Sequence, residues 1–316
     1  MFKGVLYPTD LSEVSIHALD NCIPELSHMG HDGPVIYEVP DKNGLVTKIK
    51  SIPRSKYEVT GSFEVSIVYE IPEDTNYFAE VKRKAIEDLK AITGGLIERG
   101  IRSHYSLLLN KSKILPEGVC PYCDVVQKAH CEMIDLIVLP TKSKTVLRDL
   151  IVGPAKNVAR KCSIPILLLK YEWDEEMNRP KEEIDYKGMF DRPLIALDFS
   201  TCSDRVADTV SKFAERVKEG VLLHVIDYGS QQEVEENVSK AEGELESYSQ
   251  IFSFPSRNRI AVGNAPENIL ETAEDIDASM IILGKCDRKT VKEFLMKSRA
   301  NPVMRKSKKP VLIVPC

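Results

Sequence analysis

Short and almost uniformly apolar runs alternate with helical patterns along the whole chain. The first run, residues 4–8, stops at a polar turn, and a helical spacing of apolar positions begins at Ser12 and Glu13. Strands that are apolar at nearly every position, rather than at every second one, are typical of a parallel sheet covered by helices on both faces. The pattern therefore predicts an α/β fold.

The same order of landmarks occurs twice. An apolar strand that ends in Asp and Ser before a helix occurs at residues 4–12 and returns at residues 194–200. The later landmarks also pair: residues 35–39 with 221–225, Gly118 with Gly263, 135–140 with 280–284, and 165–169 with 310–314. Such self-similarity predicts an internal repeat of two five-stranded domains. We place them at residues 1–170 and 191–316, joined by a polar linker at 171–190 that carries seven acidic and three basic residues.

The spacing between partners predicts one insertion in the first copy. It is 186 positions at Val39 and Val225 but only 145 at the landmark before the third helix. About 41 extra residues are therefore expected between the second and third strands of the first copy, centred on residues 41–76. Within them, residues 57–59 and 63–69 alternate around a turn, as a β-hairpin does. A surface excursion is favoured over a lid or a dimer contact.

Composition narrows the class of protein. The 316 residues include 43 Lys and Arg against 48 Asp and Glu, a net charge of −5, which does not favour a general nucleic-acid binder. No run approaches the roughly 18–20 apolar residues of a membrane span, and residues 1–10 lack a leader pattern. Eight cysteines are too few for a secreted disulfide framework. We expect a soluble cytoplasmic protein.

Residues 6–13 resemble the opening of the universal stress protein family, and the fourth-strand and fifth-strand segments resemble that family in both halves. The resemblance covers nearly the whole chain outside the insertion and the linker. It implies two Rossmann-like (adenine nucleotide alpha hydrolase-like) five-stranded parallel-sheet domains in tandem. It also implies that the halves pair through their last strands as an intramolecular pseudo-dimer, with a homodimer as a further expectation. Some members bind ATP at a loop patterned Gly-x-x-Gly-x9-Gly-Ser/Thr, while the first-strand Asp and the backbone after the second strand hold the nucleoside.

The resemblance carries the ATP motif over only in part. In the first half its four positions fall on Pro140, Ser143, Gly153 and Pro154. In the second half they fall on Gly284, Asp287, Lys297 and Ser298. Gly153 alone matches in the first half, and Gly284 and Ser298 match in the second. The nucleoside positions are better kept, as Asp10 with Val39 and as Asp198 with Val225.

This degenerate phosphate loop leaves two hypotheses open. The favoured one is a structural or regulatory member that has lost ATP binding. In the other, ATP or another adenine nucleotide still binds, more plausibly in the second half, and cations replace the lost N–H contacts. The candidate cations are Lys142 and Lys144 in the first half and Lys285, Arg288, Lys289 and Lys297 in the second. The basic run at 285–309 lacks interleaved aromatic residues, so a solvated face is favoured over nucleic-acid binding.

The cysteines suggest an alternative function. Cys120 and Cys123 form a C-x-x-C motif of the glutaredoxin type, and a thiol at a helix N-terminus has a lowered pKa. A thiol-redox protein is therefore the alternative to a stress-related binding protein. A zinc site formed by Cys120, Cys123, His130 and Cys131 is rejected, because eight helical residues would place Cys131 about 12 Å along the helix axis from Cys123. The scattered cysteines are predicted to be small core or surface residues: Cys22, Cys162, Cys202 and Cys286.

No pattern in the sequence favours an enzyme. None of the six histidines pairs with a Ser or Cys nucleophile at a recognisable spacing, and His224, inside an apolar strand, is predicted to be a hydrogen-bonded core residue. The strand-end carboxylates Asp10 and Asp198 are better explained as contacts to ribose or adenine. We predict a non-enzymatic, stress-related or regulatory binding protein without a metal site.

Overall fold

A computed structural model of the chain gives the fold. It describes residues 2, 4–9, 11–27, 37–40, 46–50, 64–72, 78–110, 134–142, 164–174, 176, 179–180, 185–285 and 300–315. The chain divides into two compact units. One holds Phe2–Val138 with residues 152–158, and the other holds Ala159–Cys316 with residues 1 and 139–151. The domain boundaries of the sequence analysis stay a prediction.

The first unit is a parallel sheet flanked by helices. Its elements are β1 (Gly4–Pro8), α1 (Glu13–Ser27), β2 (Tyr37–Pro40), β3 (Val46–Lys50), β4 (Glu64–Pro72), α2 (Phe78–Glu98), β5 (Arg102–Asn110) and β6 (Leu136–Lys142). The strand order in its sheet is β5-β4-β1-β6, with every pair parallel. The helix predicted from Ser12 and Glu13 is confirmed as α1, which buries Ala18, Leu19 and Cys22.

The second unit repeats this order. Its elements are β7 (Ile166–Tyr171), β8 (Trp173–Asp174), β9 (Arg179–Pro180), β10 (Pro193–Ala196), α3 (Thr201–Ser211), a 3₁₀ turn (Ala214–Arg216), β11 (Gly220–Ile226), α4 (Gln231–Ile251), β12 (Ser256–Val262), α5 (Ala265–Asp275), β13 (Met280–Lys285), α6 (Ala300–Lys306) and β14 (Val311–Pro315). Its sheet runs β12-β11-β10-β13-β14-β7. The five strands from β12 to β14 in this sheet order are parallel, as the sequence pattern predicts.

Local sequence fixes where the helices of the second unit begin. The Ser200 side chain caps α3, and Asn264 caps α5 by accepting the backbone N–H of Glu267. Ser230 opens α4 with a full capping box, in which its side chain and that of Glu233 exchange hydrogen bonds with each other's backbone N–H. Each cap satisfies N–H groups that have no partner within the helix, so the helices begin at the strand-end loops.

The last strands of the two repeats pair with each other. β7 runs antiparallel to β14, and Leu168 lies opposite Val311 in the register. Both strands are almost entirely buried. The resemblance implied that the repeats would pair through these strands.

The second strand of the first half is not where the sequence pattern placed it. The predicted strand at 35–39 falls in β2, which pairs antiparallel with β3 in a separate two-stranded sheet. β4, at Glu64–Pro72, lies beside β1 instead. The register of β4 against β1 can be compared with the register of β11 against β10. The residue of the first half that corresponds to Val225 is then Glu70, and not Val39. The prediction of Val39 as a nucleoside contact is therefore wrong in its structural basis, because Val39 does not follow the strand that borders β1.

The predicted location of the insertion is wrong for the same reason. The strand β4 lies inside the segment 41–76 that was predicted to be extra, so the additional chain lies between α1 and β4, at residues 28–63. The predicted hairpin is wrong too, because residues 64–69 belong to the parallel sheet. The described hairpin of this region is β2 with β3. The alternation of apolar and polar residues at 63–69 is also typical of a half-exposed hairpin strand. A single sequence does not show which strand pairs with it.

The end of the predicted linker is part of the second unit. Tyr186, Met189 and Phe190 are buried, and the Phe190 ring packs against Phe213 at 4.9 Å. The Tyr186 hydroxyl donates to the carbonyl of Lys170 at 3.3 Å.

Among the described residues, no helix is long and apolar enough to cross a membrane.

Candidate functional site

The strand order of the second unit places a crevice beside β10. From β10 the chain continues to β11 and β12 on one side, and β13 and β14 lie on the other. In an open parallel sheet, ligands bind beyond the carboxyl ends of the strands at the point where the order reverses. The loop that follows β10, at residues 197–200, borders this point. It contains Asp198.

Asp198 combines an exposed position with a fixed carboxylate. Its Oδ1 accepts hydrogen bonds from the Ser200 backbone N–H at 3.0 Å, the Ser200 hydroxyl at 2.6 Å and the Ser203 hydroxyl at 3.1 Å. The Asp198 N–H donates in turn to the Ser203 oxygen at 3.2 Å. Three donors on one oxygen hold the carboxylate in a single orientation at the first turn of α3. An acceptor is thereby presented at the strand end in a defined direction.

The residue after Asp198 has a left-handed backbone. Phe199 has φ 57°, which is unusual for a bulky side chain and is sustained by its surroundings. Its ring stacks on His224 of β11 at 4.1 Å and lies parallel to Tyr248 of α4 at 6.3 Å. The His224 Nδ1 lies 2.8 Å from the carbonyl oxygen of Leu197, so this nitrogen carries the proton. The stack fixes the loop that carries Asp198, and it agrees with the prediction of a hydrogen-bonded histidine.

Tyr248 anchors the far side of this stack. Its hydroxyl donates to Oδ1 of Asp204 at 2.8 Å, and its side chain is buried. Burial, together with the hydrogen bond to the Asp204 carboxylate, raises the pKa of Tyr248 to about 12. The phenol therefore stays protonated and keeps donating throughout the neutral range.

We expect Tyr248→Phe to lower the free energy of unfolding by about 1 kcal/mol, because the Asp204 carboxylate loses a donor while the ring remains. The measurement is urea unfolding followed by circular dichroism. A double-mutant cycle with Asp204→Ala isolates the pair from the effect of Asp204 on the helix end. A coupling energy indistinguishable from zero would show that this hydrogen bond does not hold the stack.

Val225 extends past the end of its neighbouring strand. β10 ends at Ala196, which lies opposite Leu223, and the Leu197 N–H donates to the Leu223 carbonyl at 2.9 Å. Alternate residues of a parallel strand direct their backbone groups to the same side, so the backbone groups of Val225 are directed toward the Asp198 loop. The sequence prediction joined Asp198 with the backbone at Val225, and the structure brings the two together at one edge.

Gly284 has a packing role. A Cβ at this position would lie 3.1 Å from Cβ of Cys202 and 3.4 Å from Cγ2 of Val206, both on α3. The absence of a side chain lets α3 lie close against β13. This contact accounts for the glycine without any phosphate.

Two cysteines of the described chain differ from each other in chemistry. Cys22 is a buried free thiol in α1, and burial, with the nearby charge of Glu25, raises its pKa, so it is inert as a nucleophile. Cys202, 1% exposed at the start of α3, is disulfide-bonded. The prediction that Cys202 is a small core residue holds for its burial, but it did not anticipate the disulfide.

The corresponding loop of the first unit also contains a residue with a left-handed backbone. Leu11 has φ 59°, as its counterpart Phe199 has φ 57°. The Leu11 N–H donates to Oγ1 of Thr9 at 3.0 Å, and the Thr9 and Ser15 hydroxyl oxygens lie 3.0 Å apart. Ser15 occupies the position of Ser203. A left-handed residue and a helix serine therefore shape the strand-end loop in both halves.

Several predicted residues lie outside the described part of the chain. They are Asp10, Gly153, Ser298, the pair Cys120 and Cys123, and the cations Lys144, Arg288, Lys289 and Lys297. Among the described residues there is no group of three or more His, Cys, Asp or Glu side chains that could hold a metal ion.

Two residues that fix the site were not predicted from the sequence. Ser203 and Phe199 hold Asp198 and its loop in place, yet a serine in a first helical turn and one aromatic residue after a strand carry no distinctive spacing.

Comparison with known proteins supports this architecture. The two units share one strand order, 3-2-1-4, which defines the chain as a repeated, doubly wound α/β protein with a strand-end site. Residues 189–315 match the profile of the universal stress protein family, and this second half therefore belongs to that family.

Two curated relatives come from Methanocaldococcus jannaschii. Universal stress protein MJ0577 is 29% identical over 154 residues, which cover 40% of this chain and 95% of that protein. Universal stress protein MJ0531 is 27% identical over 184 residues, 58% of this chain and 86% of that protein. The crystal structure of a universal stress protein from Archaeoglobus fulgidus, at 20% identity and a TM-score of 0.62, covers 99% of this chain and 96% of its own, so it shares the whole fold.

Proposed function

We propose that the second domain binds an adenine nucleotide and that the chain acts as a regulatory, stress-related binding protein rather than as an enzyme. The observation that carries the proposal is the Asp198 carboxylate, which three hydrogen bonds hold in an exposed position at the switch point of the sheet. A fixed carboxylate is suited to accept from the amino group of adenine or from a ribose hydroxyl.

The neighbouring backbone supports the same ligand. Val225 extends beyond β10 on the side of the Asp198 loop, where its N–H and C=O complement the edge of a base. The first turn of α3 lies on the other side, and the N-terminus of a helix favours negative charge. The nucleoside side of a binding site is therefore better formed than the phosphate side.

The residues at the phosphate positions support only a weak contribution of the phosphates to the affinity. Gly284 is explained by its contact with α3, and Pro140 is its counterpart in the first half. Without a glycine-rich cradle, phosphates would be bound by cations as point charges. We therefore propose that the base and ribose provide most of the affinity, and that ATP, ADP and AMP bind with dissociation constants within about tenfold of each other.

Calorimetric titration of the full chain with ATP, ADP and AMP tests the proposal. We expect saturable binding of all three, and a loss of at least about tenfold in affinity in Asp198→Asn, which corresponds to 1.4 kcal/mol. Asparagine keeps the shape and the Oδ1 acceptor that binds Ser200 and Ser203, so the variant changes chemistry more than folding.

The matched control is Asp208→Asn, which removes an exposed carboxylate further along α3 and should leave binding unchanged. No heat and no shift of the thermal midpoint at millimolar nucleotide would refute nucleotide binding. Equal losses in the two variants would show that net charge, and not the Asp198 position, controls the affinity.

A further inference from the structure

The second turn of α3 carries an exposed cation at the same edge of the sheet as Asp198. Arg205 is exposed, and its Nη1 donates to the carbonyl of Pro315, the last residue of β14, at 3.3 Å. One turn earlier on α3, Cys202 packs against Gly284 near the end of β13. The Arg205 guanidinium is therefore held beside the carboxyl ends of β13 and β14.

The strand register relates this position to the Asp198 loop. Ala196, the last residue of β10, lies opposite Leu283, and Leu283 lies opposite Ile313. Pro315 is two residues beyond Ile313, and Asp198 is two residues beyond Ala196, so both follow from the same level of the sheet. Only β13 separates β10 from β14, and neighbouring strands lie about 4.8 Å apart. The two strand ends are therefore roughly 10 Å apart, which is twice that spacing.

The order of the strands gives the direction in which a bound nucleotide would extend. Val225 lies on β11, on one side of β10, whereas β13 and β14 lie on the other side. A base bound by the Val225 backbone, with the Asp198 carboxylate beside it, occupies the edge above β11 and β10. A phosphate at the other end of the ligand is then directed across β13, toward the Arg205 guanidinium.

Arg205 differs from neighbouring arginines in its pairing. Other arginines of the second unit have a carboxylate oxygen within 2.6–3.1 Å: Arg192, Arg257 and Arg259. In the part of the chain that the structure describes, Arg205 has no such carboxylate, and its polar contact is the Pro315 carbonyl. A guanidinium has five N–H donors, so this one contact leaves donors and an uncompensated charge for an anion.

We propose that Arg205 is a specificity-determining residue that binds the 5′-phosphate of the nucleotide, so that the site selects phosphorylated nucleosides over free nucleosides. This inference rests on the proposed function and names a residue of α3 that compensates for the missing glycine-rich cradle. A guanidinium is planar, matches the geometry of phosphate oxygens and stays charged throughout the physiological pH range.

Calorimetric titration of the full chain with AMP and with adenosine tests this proposal. We expect the parent protein to bind AMP at least about fivefold more tightly than adenosine. Arg205→Gln should bind AMP only about as tightly as adenosine, while its affinity for adenosine stays within about twofold of the parent value. Arg205→Lys keeps the charge without the planar fork and should retain part of the preference for AMP.

The matched control is Arg305→Gln, which removes an exposed arginine from α6. Because α6 directly precedes β14, Arg305 lies toward the amino edge of the sheet, and its loss should change neither affinity. An equal loss of AMP affinity in Arg305→Gln and Arg205→Gln would assign the effect to net charge and would overturn the proposal.

The outcomes separate this inference from the proposed function. If the parent protein binds neither adenosine nor AMP, both fail, and the Asp198 experiment shows it. If the parent binds adenosine and AMP equally well, or if Arg205→Gln keeps the preference for AMP, only the role of Arg205 is overturned. A loss of adenosine affinity in Arg205→Gln as large as that of AMP would indicate a structural role and would also overturn the phosphate contact. Thermal midpoints of all variants show that each is folded.

Discussion

Replacing Lys170 by methionine is expected to make the protein more stable at pH 6 and to erase a pH dependence of its stability. Lys170, on β7, is 5% exposed, and its Nζ donates to the carbonyl of Met304 near the end of α6. Burial lowers the pKa of Lys170 from 10.5 to about 7, because the charged ammonium is poorly solvated there.

The sign follows from proton binding. Below pH 7 the lysine is charged in both the folded and the unfolded chain, so the folded state carries the full cost of the buried charge. Between pH 7 and about 10.5 the unfolded chain keeps a proton that the folded chain has released. The stability of the parent protein therefore rises with pH in this window, by at most about 1.4 kcal/mol per pH unit.

Methionine has a similar length and no charge, so the variant lacks this rise. We expect Lys170→Met to exceed the parent by about 2–4 kcal/mol at pH 6, after a loss of about 1 kcal/mol for the hydrogen bond to Met304. By pH 9 the advantage should shrink by about 2–3 kcal/mol. Urea unfolding at pH 6, 7.5 and 9 measures both quantities.

Lys240→Met provides the control, because Lys240 is exposed on α4 and its replacement should change stability little at any pH. Parallel pH profiles for the parent and Lys170→Met would contradict the assignment, since they would mean that Lys170 does not change protonation within this range.

Gly220→Ala is expected to destabilise the second unit by about 1–3 kcal/mol or more. A Cβ at Gly220, the first residue of β11, would lie 2.5 Å from Cε2 of Phe254. The Phe254 ring is buried and stacked on Phe252 at 4.9 Å, so it has little room to move away. Urea unfolding measures the loss.

Gly243→Ala is the matched control, since no atom lies within 4 Å of a Cβ there and alanine is the better helix former in α4. We expect it to raise stability by about 0.5–1 kcal/mol. The double variant Gly220→Ala with Phe254→Leu should recover part of the loss. A Gly220→Ala protein as stable as the parent would show that the ring yields at no cost.

Much of the candidate site could be predicted from sequence because strand-end loops are local. The apolar strand, the Asp and the following helix lie within about ten residues, and this short pattern identified Asp198 at both the right edge and the right strand. The helix caps at Ser200 and Ser230 are likewise properties of adjacent residues. One donor to Asp198, the Ser203 hydroxyl, was not predictable, because a serine one turn into a helix acquires this role only through the left-handed backbone at Phe199.

By itself the sequence determined that the chain is a repeated α/β protein with two parallel sheets, because fully apolar strands and amphipathic helices are set by residues next to each other. Only the tertiary structure decided which strand borders β1. An apolar run at 35–39 and an alternating run at 63–69 both have the character of strands, and pairing is chosen by contacts between residues far apart in the chain. The place of the insertion and the exclusion of Val39 from the strand beside β1 both depend on such contacts.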